Sequence, residues 1–353
     1  MINKIEICNF KRFESLSLNK LARINVVVGP NSAGKTALME AIYLVCGANP
    51  ELAFRIRAFR GFNMLTVTTD KVGNESVWKD IFNNFDQSKT IEISLEGTAS
   101  FCRDLKIEFK RDKTMMLDLP STDFSKDNVS PMVPMIFEWK LKSGKVYSAE
   151  TSVRNNGIST VFSDSLEALP AAFYSSSQHS GQEENASFFS ALSVKNMEAG
   201  IVDALKAEFP LIKGLSVEIW GGIPCLFASV ENIKEKIPLS LVSSGINKLI
   251  AILLGIATQK GGVILIDELE NGFYFDRLPS IWKLIFEFAV LYDVQIFAST
   301  HSWECLEAAA RYVIDSGKEN EFTLIQSRKE TAEFRIHTGK AFVDAISHQI
   351  DVR

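Results

Sequence analysis

The sequence predicts an α/β fold: a phosphate-loop core with a mixed, mainly parallel sheet, plus an inserted antiparallel β and helical lobe. Three observations predict it. Gly29-Pro30-Asn31-Ser32-Ala33-Gly34-Lys35-Thr36 fits the GxxxxGK[ST] pattern between an apolar strand and a helical pattern. Val263-Ile264-Leu265-Ile266 is a continuous apolar run ending in Asp267-Glu268, as a strand buried on both faces would. The final third alternates apolar strands and helices in βα order, the mark of a largely parallel sheet.

The elements follow in order. Ile5, Ile7, Phe10 and Phe13 give the opening segment, 2–13, the pattern of a strand and turn. Residues 24–28 form the strand into the phosphate loop. Leu38, Ile42 and Val45 then share one face of a helix over 35–46, which Gly47 can end. From about 49 to 85 the chain reads as helical and irregular, with Arg55, Arg57 and Arg60 interleaved with Phe54, Ile56 and Phe59. That cluster is either an amphipathic helix face or an anion or partner surface. Residues 91–95, 105–109 and 136–139 alternate as antiparallel strands with one wet face, and 119–134 is a polar loop between two of them. A Ser-rich stretch, 174–181, closes this lobe. A helical region over 183–208 and short strands to Ser229 follow. The expected organisation is a single domain over 1–353, with the core from 1–48 and 215–353 and the lobe at about 49–214.

A chain of 353 residues can bury a large core. No window holds the roughly 18 uncharged apolar residues of a membrane span. Met1-Ile2-Asn3-Lys4-Ile5-Glu6 carries charges where a signal peptide would be apolar, so a cytoplasmic protein without a membrane partner is expected. Cys8, Cys46, Cys102, Cys225 and Cys305 are scattered without CxxC spacing, which suits reduced thiols rather than disulfides or zinc. The net charge of −5 argues against bulk attraction to nucleic acid and leaves a local basic patch open.

The residue types at the loop carry chemistry. Gly29 and Gly34 let backbone N–H groups curl around phosphate oxygens, and the following helix start adds a favourable dipole. Pro30, Asn31, Ser32 and Ala33 complete the turn. Lys35 suits the β- and γ-phosphates of a nucleoside triphosphate, and the Thr36 hydroxyl suits Mg²⁺. Asp267, at a strand's carboxyl end, is the natural second holder of that Mg²⁺, and Glu268 can polarise an attacking water. Two solvated carboxylates at a strand end are the alternative reading of that pair.

Three further pieces complete the pattern. Leu241-Val242-Ser243-Ser244-Gly245 precedes an apolar helix, Glu270-Asn271-Gly272 follows the acid pair, and Ala298-Ser299-Thr300-His301-Ser302 ends the next strand. In order, these resemble the ATP-binding-cassette (ABC) layout. With the opening Ile5-x-Ile7-x-Asn9-Phe10-Lys11-Arg12-Phe13, they resemble more closely the stand-alone bacterial AAA15/AAA_21 ATPases, related to the OLD and SMC-like groups. The resemblance implies an ABC-type P-loop NTPase core in which two subunits sandwich two ATP molecules. Ser243, Ser244 and Gly245 would cap the γ-phosphate in trans, and Asn271 and Gly272 would touch the partner. His301 would sense the γ-phosphate. Gln178 would link Mg²⁺ and the attacking water to the inserted lobe. VSSGI departs from the LSGGQ of transporters, so transporter coupling is not implied. Gln178 also reads as a solvated loop amide, Ser243–Gly245 as a plain helix cap, and His301 as a side chain satisfied by nearby backbone.

The functional expectation is Mg²⁺-dependent ATP hydrolysis by a homodimer or higher even homo-oligomer. The chain would serve as the regulator of an anti-phage, abortive-infection system such as PARIS or Septu, controlling a separate nuclease-type effector chain. That role is implied by analogy with the group rather than by residues. The alternative is a RecF/SMC-like ATPase that clamps DNA in recombination or repair. A kinase or GTPase fits poorly, since a signature-like SSG lies between the two phosphate elements and no NKxD is present.

Overall fold

The computed structural model describes residues 1–58, 78–98, 101–110, 134–154, 157–176, 181–328 and 333–353. The elements that matter for the site, in chain order, start with β1 (Ile2–Phe10), β2 (Phe13–Asn19), β3 (Ile24–Val28), α1 (Lys35–Cys46) and α2 (Glu51–Ala58). Next come β4 (Ile91–Gly97), β5 (Arg103–Phe109), β6 (Met135–Leu141), β7 (Val146–Arg154), β8 (Gly157–Phe162) and β9 (Ala171–Tyr174). Then α3 (Gln182–Ser193), α4 (Ala199–Glu208), β10 (Ile212–Trp220), β11 (Ile223–Val230), β12 (Ile237–Pro238), α5 (Leu239–Val242) and α6 (Ser244–Thr258). The last third holds β13 (Val263–Ile266), α7 (Leu278–Leu291), β14 (Gln295–Ser299), α8 (Trp303–Ser316), β15 (Phe322–Ser327), β16 (Phe334–Thr338) and α9 (Gly339–Ser347).

The described residues divide into two compact units. One comprises Met1, Lys20–Met39 and Pro170–Arg353; the other comprises Ile2–Asn19 and Glu40–Leu169. The first holds a six-stranded sheet in the order β16-β15-β3-β14-β13-β9. β15, β3, β14, β13 and β9 run parallel to their neighbours, and only the edge strand β16 is antiparallel. Strands flanked on both sides need apolar residues on both faces, and every residue of β3, β13 and β14 is buried. Around them α6 contributes Leu249, Ile252, Leu253 and Ile256, and α7 contributes Ile281, Trp282 and Ile285. The 3-stranded sheet β10-β11-β12 belongs to the same unit.

The second unit is an antiparallel, seven-stranded sheet in the order β2-β1-β4-β5-β6-β7-β8. Its alternating strands turn Ile5, Ile7, Ile93, Leu105, Ile107, Phe137 and Trp139 inward. Arg103 is buried among them and donates to the carbonyls of Cys46 and Gly47, at 3.3 and 3.1 Å, and of Glu167 at 2.8 Å. α2 is amphipathic as expected, with Ala53 and Ile56 buried, and Arg57 pairs with Asp80 at 3.2 Å. Arg60 and Phe59 lie outside the described residues. Lys11, in the β1–β2 turn, donates to the fully buried Glu40 carboxylate at 2.6 Å.

These units depart from the boundaries expected at 48/49 and 214/215. The opening strand belongs to the antiparallel unit because β1 pairs with both β2 and β4. Residues 170–214 belong with the parallel sheet, since β9 pairs in register with β13, Val263 opposite Ala171 and Ile266 opposite Tyr174. The helical stretch expected over 183–208 is two helices broken at Val194–Glu198.

Candidate functional site

The site forms where β3, β9, β13 and β14 end, because parallel strands deliver their following loops to one edge. The phosphate loop leaves β3 through Gly29, whose φ of +138° suits glycine; a Cβ there would meet the Ser327 carbonyl oxygen at 2.5 Å. Ser32 (φ +63°) and Gly34 (φ +98°) complete the curl, and Lys35 opens α1. Ser327 braces the loop by donating its hydroxyl to the Ala33 carbonyl at 2.7 Å. Lys35 is buried, and its ammonium donates to the carbonyls of Gly29 (2.7 Å) and Pro30 (3.0 Å). Burial holds its pKa below the ordinary lysine value, against the opposing pull of Asp267, Glu268 and Glu270.

Thr36 and Asp267 come together. The Thr36 hydroxyl donates to Asp267 Oδ2 at 3.0 Å, and the Ser176 hydroxyl approaches the same oxygen at 3.5 Å. Ser299, the last residue of β14, donates to Asp267 Oδ1 at 2.6 Å and accepts from the Glu268 amide at 2.8 Å. The residues at this point are hard oxygen donors, the set Mg²⁺ takes. No group of three or more His, Cys, Asp or Glu among the described residues could hold a metal alone. A cation here would depend on phosphate oxygens and water as well.

Glu268 and His301 face each other. The His301 Nε2 lies 3.6 Å from Glu268 Oε1, and its Nδ1 lies 3.4 Å from Lys35 Nζ. An ammonium can only donate, so Nδ1 accepts and the ring proton sits on Nε2, toward the Glu268 carboxylate. Glu268 has φ +48°, a left-handed backbone that costs a non-glycine residue free energy unless its surroundings hold it. Asn271 holds it by donating its side-chain amide to Glu268 Oε2 and its backbone N–H to the Glu268 carbonyl at 3.0 Å. Lys248, from α6, donates to the carbonyls of Glu268 (2.8 Å), Leu269 (3.3 Å) and Asn271 (3.1 Å). Burial lowers the Lys248 pKa to about 8. Glu270 Oε1 accepts from the amides of His301 and Ser302, at 2.7 and 3.2 Å.

Ser243 caps α6, its hydroxyl accepting from the Ile246 amide at 3.5 Å, as the cap reading expects. Ser244 is exposed and Gly245 is buried. A Cβ on Gly245 would meet the Gly272 carbonyl oxygen at 2.3 Å, so this helix start lies directly on the turn after the acid pair. Gly245→Ala is therefore expected to cost about 1–3 kcal/mol through overpacking. Thermal unfolding would show it as a lowered midpoint, and an unchanged midpoint would mean the turn yields freely.

Every expected site residue among the described ones lies at this edge or at the start of α6. Gln178 lies outside the described residues; Ser176, two positions earlier, reaches Asp267. Sequence reasoning missed the roles of Ser176, Ser299, Glu270 and Lys248. Lys248 carried a signal, being the one charge between Ile246 and Ile256, a run that is apolar apart from it and Asn247.

Fold and site together define a P-loop ATPase. The chain belongs to the AAA ATPase domain family (AAA_15), which it matches over residues 1–210. Residues 140–307 match a second family, described as "AAA domain, putative AbiEii toxin, Type IV TA system". An ATP/GTP phosphatase of Helicobacter pylori is 23% identical over 333 residues, 87% of each chain. The DNA replication and repair protein RecF of Psychromonas ingrahamii is 32% identical over 111 residues, which span 30% of this chain and only 29% of that one. The solved SmcHead bound to the C-winged helix domain of ScpA is 14% identical, with 96% of this chain and 97% of that one covered and a TM-score of 0.46. No helix among the described residues is long and apolar enough to cross a membrane.

Proposed function

We propose that the chain is a Mg²⁺-dependent, ATP-hydrolysing switch that works in the cytoplasm as a homodimer or higher even oligomer, with ATP sandwiched between subunits. One observation carries the reading: Thr36, Asp267, Glu268 and His301 converge at the strand edge where Lys35 opens α1. Lys35 and the backbone N–H groups of the loop Asn31–Thr36 would bind the β- and γ-phosphates, and Thr36 and Asp267 would hold Mg²⁺. Held there, the ion would neutralise charge on the phosphate oxygens. Glu268 orients the attacking water, and His301 donates from Nε2 toward the same region. Developing charge on the γ-phosphoryl group is met by the Lys35 ammonium and by Ser243, Ser244 and Gly245 of the partner's α6.

Ser243→Arg places a bulky cation at that helix start. It is expected to stop hydrolysis while the monomer still binds ATP, measured as fluorescent-nucleotide affinity beside phosphate release. Wild-type turnover in this variant would remove the trans role of the α6 start.

Closure on ATP and opening on hydrolysis then shift a conformational equilibrium by differential affinity. The switch acts on a separate, nuclease-type effector chain in anti-phage defence. The match over residues 140–307, whose description names a toxin of a Type IV TA system, supports this use. A second reading, a clamp on duplex DNA in repair, is favoured by the local identity to RecF. Tagged Glu268→Gln protein recovered with ATP from its own host separates the two. An effector nuclease with an even-numbered ATPase core supports the defence switch. DNA with repair proteins and no effector supports the clamp, and binding should then weaken steeply with salt.

A further inference from the structure

Lys248 is placed as a brace rather than as packing. It lies five residues beyond Ser243 on α6, so it moves with the helix start that Ser243 caps. Its ammonium has three donors, and three carbonyls of one turn converge on it: Glu268, Leu269 and Asn271. That turn carries the Glu268 carboxylate outward on its left-handed backbone. Through Glu270 the same turn fixes the amides of His301 and Ser302. Gly245 presses on the turn's far end at Gly272, a contact no larger residue could make. A methionine or leucine would fill the volume without the desolvation cost of a partly buried ammonium, which points away from a packing role.

We propose that Lys248 is a positioning residue that sets the Glu268 carboxylate for water activation and ties its placement to the α6 start at Ser243. The inference rests on the ATPase reading of Glu268 and goes beyond it. It makes the hydrolytic carboxylate of one subunit responsive to whatever that subunit's Ser243–Gly245 segment contacts, so the two composite sites of a dimer are linked through a single side chain in each protomer. Lys248 itself need not touch substrate.

The test is a double-mutant cycle on the full chain with ATP and Mg²⁺, measuring phosphate release and fluorescent-ATP affinity. Lys248→Met is expected to lower kcat by about 10–100-fold, because displacing a reacting group by about 1 Å can cost that much. KM and ATP affinity are expected to stay within about threefold. In a Glu268→Gln background the same substitution is expected to change the residual rate by less than about threefold, since the carboxylate it serves is already gone. Lys248→Gln, which keeps two N–H donors, is expected to fall between Lys248→Met and wild type, and stands in if the methionine variant does not fold.

Equal losses in both backgrounds would overturn the proposal, because a general structural role lowers both alike. Wild-type kcat in Lys248→Met with a slow Glu268→Gln would overturn it alone and leave the ATPase reading intact. Absent wild-type hydrolysis, or normal turnover by Glu268→Gln, would instead remove the reading beneath it.

Discussion

Glu268→Gln is expected to lower kcat by about 10²–10⁴-fold, the range a positioned general base supplies. ATP affinity should be retained, and the closed assembly should accumulate. The substitution is nearly isosteric, and the glutamine carbonyl can still accept from Asn271 as Oε2 of Glu268 does. The left-handed turn is thus left in place while the group that polarises water is lost. The glutamine NH2 then faces His301 Nε2, which loses both its acceptor and the negative charge opposite it. Single-turnover hydrolysis gives the rate, and light scattering with ATP gives the mass. Wild-type turnover would remove Glu268 from the role, and slow turnover without a heavier ATP-bound species would separate chemistry from assembly.

Lys35→Ala is expected to weaken ATP binding by roughly 10²–10⁴-fold, since two charge-assisted hydrogen bonds of about 1.5–3 kcal/mol each are lost. The fold should survive. Lys35 is desolvated, with a pKa below its ordinary value, so its removal relieves a burial cost as well as ending two bonds to loop carbonyls. Calorimetric titration with ATP and Mg²⁺ reads the affinity, and circular dichroism reads the fold. Near-native affinity in a folded variant would mean that the loop amides alone hold the phosphates.

The parts of the site legible in the sequence were those written as contiguous motifs on short turns. Gly29–Thr36, Asp267-Glu268, Ser243–Gly245 and His301 each follow or open an element whose apolar pattern is plain. The extent of α1 and of β3 was read as it stands, because a buried parallel strand and a one-faced helix leave strong local patterns. Long-range pairing was not legible. The alternation of β1 is equally compatible with either sheet, and only its pairing with β4 assigns it to the antiparallel unit. The four residues of β9 are too few to show a period beside a Ser-rich tail. The contacts of Ser299 and Ser176 with Asp267 join residues far apart in the chain and leave no local pattern. Lys248 marked itself as out of place on an apolar helix, but its three acceptors lie about twenty residues away and required the fold.

The strand order around the phosphate loop bears on how the protein is made. Ile24 of β3 lies opposite Ile296 of β14 and Phe322 of β15, so its partners on both sides leave the ribosome roughly 270–300 residues after it does. At about 5–20 residues per second this is a delay of roughly 15–60 seconds, during which the apolar strand Ile24–Val28 has neither neighbour. A nascent chain shorter than about 300 residues therefore carries the whole phosphate-loop motif without the sheet that shapes it. Nucleotide binding should begin abruptly once β14 and β15 have emerged, and until then this strand is exposed to chaperones and to misassembly.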